Sequence, residues 1–428
     1  MNQQTSNFKL RPYQEQGVQD ILDKLHTNPK HGALLADAPG LGKTAQAVEV
    51  ANRLMAPYKG GLIFKILVVC PASLRLNWSR EIQAWVKTNR FFEIRTYGEI
   101  VRKKQDYQEY TLIIFDEAHY LKNPDAKRTK ACAALAENAY YKLALTGTPI
   151  VNRPIEIFPV LQILGLKKEW TRIKFAIRYC AATLRYIYVR GGRKRKILDV
   201  SGASNTDELN RMLRSSVMVR RTKEEVLTEL PPKIRQVIAM DFASGESESF
   251  RQRFASLSLA ADILRETTRI PFEELAKERY NAAVAKIPYV REFIDDLLEE
   301  EEKVVVFAHH RDVVKALAEG EGRVMLYGGM TEKQKDEAVQ AFQNGSARVF
   351  VGQITAAGTG LTLTAARTVV FAELDWVPGN VTQAEDRCHR IGQHDTVRVF
   401  HIVAEGSIDA RLVRAIVDKQ SVIEEVTK

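Results

Sequence analysis

Short apolar, β-branched runs alternate with helix-like stretches along this chain, and that alternation constrains the fold more than any other feature. ALLAD at 33–37, ILVVC at 66–70, LIIFD at 112–116 and KLALT at 142–146 form one series. VVVFA at 304–308, RVMLY at 323–327, RVFVG at 348–352, TVVFA at 368–372 and TVRVFHIV at 396–403 form a second. Runs that are apolar on both faces and bounded by turn or polar residues predict buried strands of parallel sheets with crossover helices. The expected fold class is α/β, with two doubly wound sheets in tandem. Between the series, from about Ile155 to Ala282, the pattern turns mostly helical and strongly charged. Pro231 and Pro232 mark the expected break, giving lobes at 1–232 and 233–428.

A chain of 428 residues can bury two such cores. Its 45% hydrophobic and 27% charged residues are values of a globular protein, and no apolar run reaches the length of a bilayer. MNQQTSNFKL at the start lacks the pattern of a secretory signal, so the expected compartment is the cytoplasm of a prokaryotic or phage-infected cell, or a eukaryotic nucleus. Lysine and arginine total 63 against 53 acidic residues, and the balance of +10 favours a polyanionic partner such as nucleic acid. Cys70, Cys132, Cys180 and Cys388 are widely separated without a CxxC pair, and no histidines stand at chelating spacing. No transition-metal site or disulfide framework is expected.

The segment Asp37-Ala38-Pro39-Gly40-Leu41-Gly42-Lys43-Thr44 follows a predicted strand and precedes the helical stretch that begins at Ala45. That context suits a phosphate-binding loop, in which glycines let backbone N–H groups approach phosphates and the helix N-terminus favours negative charge. Lys43 would reach the β- and γ-phosphates, and the Thr44 hydroxyl would bind magnesium. Asp37 replaces the first glycine of the generic pattern, and an ordinary strand-to-helix turn is the alternative. At Asp116-Glu117-Ala118-His119 a buried strand ends in two carboxylates, which is costly unless a cation meets them. Asp116 would hold Mg²⁺, and Glu117 would orient and polarise an attacking water. The cofactors expected are therefore ATP and Mg²⁺.

These two motifs, with LTGTP at 145–149 and QAEDRCHRIGQ at 383–393, resemble a superfamily-two helicase of the Swi/Snf type. RPYQEQGV at 11–18 resembles the family's Q motif, PASLRLNW at 71–78 motif Ia, VMVRRTKEEVLTELPPK at 217–233 the inter-lobe segment, and ITAAGTGLTL at 354–363 motif V. FAIRYC at 175–180, SGASNTDEL at 201–209, VVFAHH at 305–310 and VVFAELDWVPG at 369–379 are similar to the HARP-type annealing helicases, while Ala38-Pro39 stand where the family usually has Glu-Met. The resemblance implies RecA-like lobes and a DNA-dependent ATPase. It implies that Gln14 reads adenine with support from Arg11, that Ala45, Gly360 and Gln383 adjoin the nucleotide, and that Arg387 and Arg390 act as arginine fingers. Three apart, those arginines would share one face of a helix. Ser73, Thr146, Thr148, Thr355 and Gly358 are its implied DNA contacts.

One further feature needs only the residues. LRYIYVRGGRKRKIL at 184–198 alternates apolar and basic side chains about a Gly-Gly pair, as a β-hairpin would. Arg193, Lys194, Arg195 and Lys196 would grip or wedge DNA, unless the tip is a solvated loop or an import signal. The leading expectation is a monomeric translocase on double-stranded or forked DNA that moves on, remodels or re-anneals it. A strand-separating helicase and an inactive DNA-binding scaffold remain as alternatives.

Overall fold

The computed structural model describes residues 9–56, 64–86, 92–102, 110–150, 152–165, 170–188, 194–227, 229–240, 272–357, 361–375 and 377–404. The chain separates into two compact units that meet in sequence at Thr228 and Glu229, so Pro231 and Pro232 lie just inside the second.

The first unit is built on β1 (Gly32–Leu35), β2 (Ile66–Cys70), β3 (Phe92–Thr96), β4 (Leu112–Asp116), β5 (Tyr141–Leu145) and β8 (Met218–Val219). All pair in parallel, in the order β3-β2-β4-β5-β1-β8. Neighbouring residues of these strands enter different cores: Leu34, Leu67 and Ile113 pack on one face, Leu35, Val68 and Ile114 on the other. Helix α1 (Pro12–Thr27) and helix α2 (Lys43–Met55) cover the second face, and the helix Phe158–Leu164 covers the first. Two-sided cover explains why the central strands read as unbroken apolar runs. The register sets Leu35 beside Leu145 and Leu145 beside Asp116, so β1, β5 and β4 end level with one another.

The second unit repeats the plan with β9 (Lys233–Met240), β10 (Val304–Ala308), β11 (Arg323–Leu326), β12 (Val349–Gln353), β13 (Thr368–Phe371) and β14 (Val397–Ala404). Its order is β11-β12-β10-β13-β14-β9, again all parallel. Val305 and Phe307 face one core, Val304 and Val306 the other. Both expected doubly wound sheets are present. Among the described residues, no helix is long and apolar enough to cross a membrane.

The stretch expected to be mostly helical departs from that reading. Besides the helices Arg172–Tyr179 and Thr206–Ser216 and the antiparallel pair β6 (Thr183–Tyr188) and β7 (Lys194–Asp199), which falls where a hairpin was expected, it contains the unexpected strands β8 and β9. Strands β3, β8 and β9 escape a search for apolar runs for a physical reason. β8 spans two residues, and β3 and β9 are sheet edges whose side chains are largely half-buried or exposed. Edge strands have no need to be apolar on both sides.

Candidate active site

The carboxyl ends of β1, β5 and β4 carry three loops, at the edge where open α/β sheets bind ligands. In the loop after β1, Gly40 and Gly42 have φ of +88° and +75°, a region that disfavours side chains. A Cβ on Gly42 would also lie 2.3 Å from the Gln14 amide nitrogen. Gln14 is buried: its Oε1 accepts the Arg11 N–H at 2.9 Å, and its Nε2 donates to the Leu41 carbonyl at 3.1 Å. The start of α1 is thereby tied to the loop. The Lys43 ammonium opens α2 and donates to the carbonyls of Asp37 (2.9 Å) and Ala38 (3.3 Å).

Asp37, the departure from the generic loop, has a structural explanation. Its side chain is 0% exposed and receives the Arg221 N–H at 3.0 Å, Arg221 Nε at 3.0 Å, Arg221 Nη2 at 2.8 Å and Gln46 Nε2 at 3.0 Å. Arg221 also donates to the Tyr13 carbonyl and the Gln46 side chain. A guanidinium that follows edge strand β8 therefore locks the front of the loop. Removing one partner of a buried, hydrogen-bonded ion pair strands the other charge and costs about 3–5 kcal/mol. Arg221→Ala should destabilise the first unit by that amount and weaken nucleotide affinity. Arg221→Met combined with Asp37→Gly should recover part of the stability. Denaturant melts of the three variants check this, and an unchanged melt in Arg221→Ala would contradict it.

At the end of β4 the Asp116 carboxylate accepts Trp78 Nε1–H at 2.7 Å and the Glu117 N–H at 2.9 Å, while its carbonyl accepts the Tyr97 hydroxyl at 2.8 Å. Burial, and then the charge of Glu117, push its carboxyl well above the usual carboxylate range. Glu117 sits at φ +49°, a strained conformation for a residue with a side chain. His119 Nδ1 lies 3.2 Å from Glu117 Oε2 and 3.2 Å from the Thr146 hydroxyl. From β5 comes Gly147, where a Cβ would meet Pro39 at 2.6 Å and Lys43 Nζ at 3.3 Å. A close-packed loop with glycine-only dihedrals, an ammonium and two adjacent buried-strand carboxylates is a donor set that fits a nucleotide triphosphate with Mg²⁺. Thr44, the second residue of α2, and Asp116 are the residues expected from the sequence to hold the ion.

In the second unit, Gln383 is buried in the helix Pro378–Glu385. Arg387 and Arg390 follow that helix in turns, so the helical face they were expected to share does not exist. They converge by another route. Arg387 Nη1 (3.3 Å) and Arg390 Nη1 (2.8 Å) both donate to the Leu361 carbonyl, and Arg387 Nε donates to the Gln383 carbonyl at 3.0 Å. Glu385 is 1% exposed and carries a network of its own, with Lys233 Nζ at 2.8 Å and Arg235 gripping both oxygens at 2.9 and 2.6 Å. Those cations hold its carboxyl down at about 2 despite burial, which acts in the opposite sense.

The sequence matches the SNF2-related domain over residues 13–98 and 89–283, and the helicase conserved C-terminal domain over 285–392. The chain belongs to the SNF2-related family. Among curated relatives it is similar to the DNA annealing helicase and endonuclease ZRANB3 of Bos taurus, 34% identical over 94% of this chain and 39% of that protein. The SWI/SNF-related matrix-associated actin-dependent regulator of chromatin subfamily A-like protein 1 of Xenopus tropicalis is also 34% identical, over 97% of this chain and 44% of its own length. The chain thus spans about two fifths of these relatives. Among solved structures, the Sulfolobus solfataricus SWI2/SNF2 ATPase core in complex with dsDNA aligns over 100% of this chain and 94% of its own, at 23% identity and a TM-score of 0.45.

Within this SNF2-related chain, the residues expected to touch DNA fall into different environments. Ser73 is half-buried in a turn after β2, and Thr355 is exposed on a short helix after β12. Thr146 is 2% exposed, and its hydroxyl accepts the Thr148 N–H at 3.1 Å while contacting His119. Thr148 is buried as well. Thr146 thus lies against His119 of the acidic motif inside the unit. Gly358, Gly360 and Arg193 lie outside the described residues, as does the Arg195 side chain. Lys194 and Lys196 are exposed on β7, opposite Tyr188 and Tyr186 of β6. Arg221, Trp78 and Tyr97 were missed as site residues. Arg221 and Trp78 stand inside segments that resemble family motifs, but no sequence rule says that they grip Asp37 and Asp116.

Proposed function

We propose that this chain is an ATP-dependent translocase on double-stranded DNA, with residues 1–232 as the nucleotide-binding lobe and 233–428 as the partner lobe. The observation that carries the reading is that the loop leading to Lys43 and the Asp116-Glu117 pair leave from the level ends of β1 and β4 in an SNF2-related chain. Lys43 holds the terminal phosphates, and Thr44 and Asp116 hold the metal, whose charge offsets that of the phosphates when bound. Glu117, steadied by His119, orients the attacking water and draws on its proton. Arg387 and Arg390 supply positive charge to the γ-phosphate as it leaves. Arginine suits this role because its planar fork stays charged and pairs with two oxygens at once.

DNA is held without reading its sequence. Ser73 and Thr355 offer hydroxyls to phosphate oxygens, and the β6–β7 hairpin adds the exposed lysines 194 and 196 beside Tyr186, which is 65% exposed. The relatives named for annealing favour a motor that remodels or re-anneals duplexes over one that separates them. The compartment is the one in which the host keeps its DNA. ATP turnover measured with no DNA, single-stranded, duplex and forked DNA tests the reading. Duplex or forked DNA should stimulate turnover most. Stimulation by single strands alone, with unwinding of a tailed duplex, would instead identify a strand-separating helicase.

A further inference from the structure

The second unit begins with Glu229, and its first strand, β9, runs beside β14 at the sheet edge. Lys233 and Arg235 are two apart on β9, which places both on one face. That face meets Glu385 and Asp386, the residues immediately before Arg387. Lys233 Nζ lies 2.8 Å from Glu385 Oε2 and 3.2 Å from Asp386 Oδ1, and Arg235 takes both Glu385 oxygens. On the far side of Arg387, His389 Nε2 lies 2.8 Å from the Pro231 carbonyl and so donates to it as the Nε2–H tautomer. Pro232 contributes its carbonyl to the Val397 N–H at 3.0 Å. The segment where the chain enters the second unit thus clamps the arginine turn before and behind Arg387. Glu385, Asp386 and His389 are all at least nine-tenths buried, so the groups that the clamp holds are withdrawn from water.

We propose that Lys233 is a positioning residue for Arg387 and Arg390, through which the chain entering the second unit fixes where the two guanidinium groups stand. This rests on the finger reading given above and extends it to residues outside the motif. A displacement of the entering segment would carry the arginine turn with it, because the turn is fastened to Pro231 and Lys233 as well as to its own helix. The coupling needs no contact with nucleotide. Loss of a positioning contact remote from the reacting atoms lowers turnover by up to about a hundredfold.

The test uses the full chain with ATP, Mg²⁺ and duplex DNA. Lys233→Met keeps the side-chain length and leaves Arg235 on Glu385. It should lower stimulated kcat by about ten- to a hundredfold with nucleotide affinity unchanged, and Lys233→Arg should restore most of it. In the Lys233→Met, Arg390→Ala double variant the loss of kcat should be smaller than the product of the two single losses, since Lys233→Met then has only Arg387 left to displace. If Lys233→Met folds poorly, Asp386→Asn breaks one arm of the clamp at nearly constant shape and should show a smaller loss of the same kind. Normal kcat in the folded fraction of both variants, or losses that multiply in the double variant, would overturn the positioning role and leave the finger reading standing. Normal stimulation in Arg390→Ala alone would overturn the finger reading, and this proposal with it.

Discussion

Glu117→Gln should cut stimulated ATP turnover by roughly 10²–10⁴-fold, the usual contribution of a positioned general base, while nucleotide binding survives. Glutamine has the shape of glutamate, and both must adopt the same φ of +49° at this position, so the strain of the backbone is unchanged. The N–H of residue 117 that Asp116 accepts is also unaffected. What disappears is the negative charge that draws on the water proton. Lys43→Ala makes the contrast, because loss of the loop's ammonium should weaken binding itself. Equilibrium binding of a fluorescent nucleotide, measured beside single-turnover hydrolysis, separates the two effects. Near-normal turnover in Glu117→Gln would reduce the residue to a strained turn that happens to be acidic.

How far such a site is legible in sequence depends on which forces leave a local mark. The central strands do, because burial on both faces demands unbroken apolar residues at 66–70, 112–116 and 304–308, and each is a strand at those positions. The loop and the acidic pair do as well, because phosphate and metal chemistry dictate residue types at fixed spacing. Edge strand β9 leaves none, since its exposed Ile234 and Val237 stand beside polar residues whose partners lie far along the chain. Asp37 is the clearest case. In sequence it is an odd residue where a glycine is usual, and only the fold brings Arg221, 184 positions away, against it. Lys233 and Glu385 are separated by 152 positions in the same way. A pair that meets through the sheet has no spacing to recognise. The arginine turn shows the converse: the motif is legible, but helical spacing gave the wrong local geometry for a segment that folds as turns.

Arg390→Ala should leave DNA binding intact and abolish most of the stimulation that DNA exerts on ATP turnover. In other phosphoryl-transfer enzymes an arginine finger contributes about 10³–10⁵ in rate, so the loss should be large even if Arg387 shares the work. Arg390 is a cleaner target than Arg387. Arg387 is buried and also holds the Gln383 carbonyl, so its removal would disturb the end of the helix that carries the motif. Arg390 is half-buried and shares the Leu361 carbonyl with its neighbour, which keeps a donor after the substitution. Arg390→Lys refines the result. Lysine retains the charge but lacks the planar fork, so it should recover only a fraction of the stimulation if two phosphate oxygens are held at once, and nearly all of it if a point charge suffices. The measurement is turnover against DNA concentration, with binding isotherms on the same variants. Unchanged stimulation in Arg390→Ala, at unchanged DNA affinity, would mean that this arginine fastens the Leu361 loop and touches no phosphate.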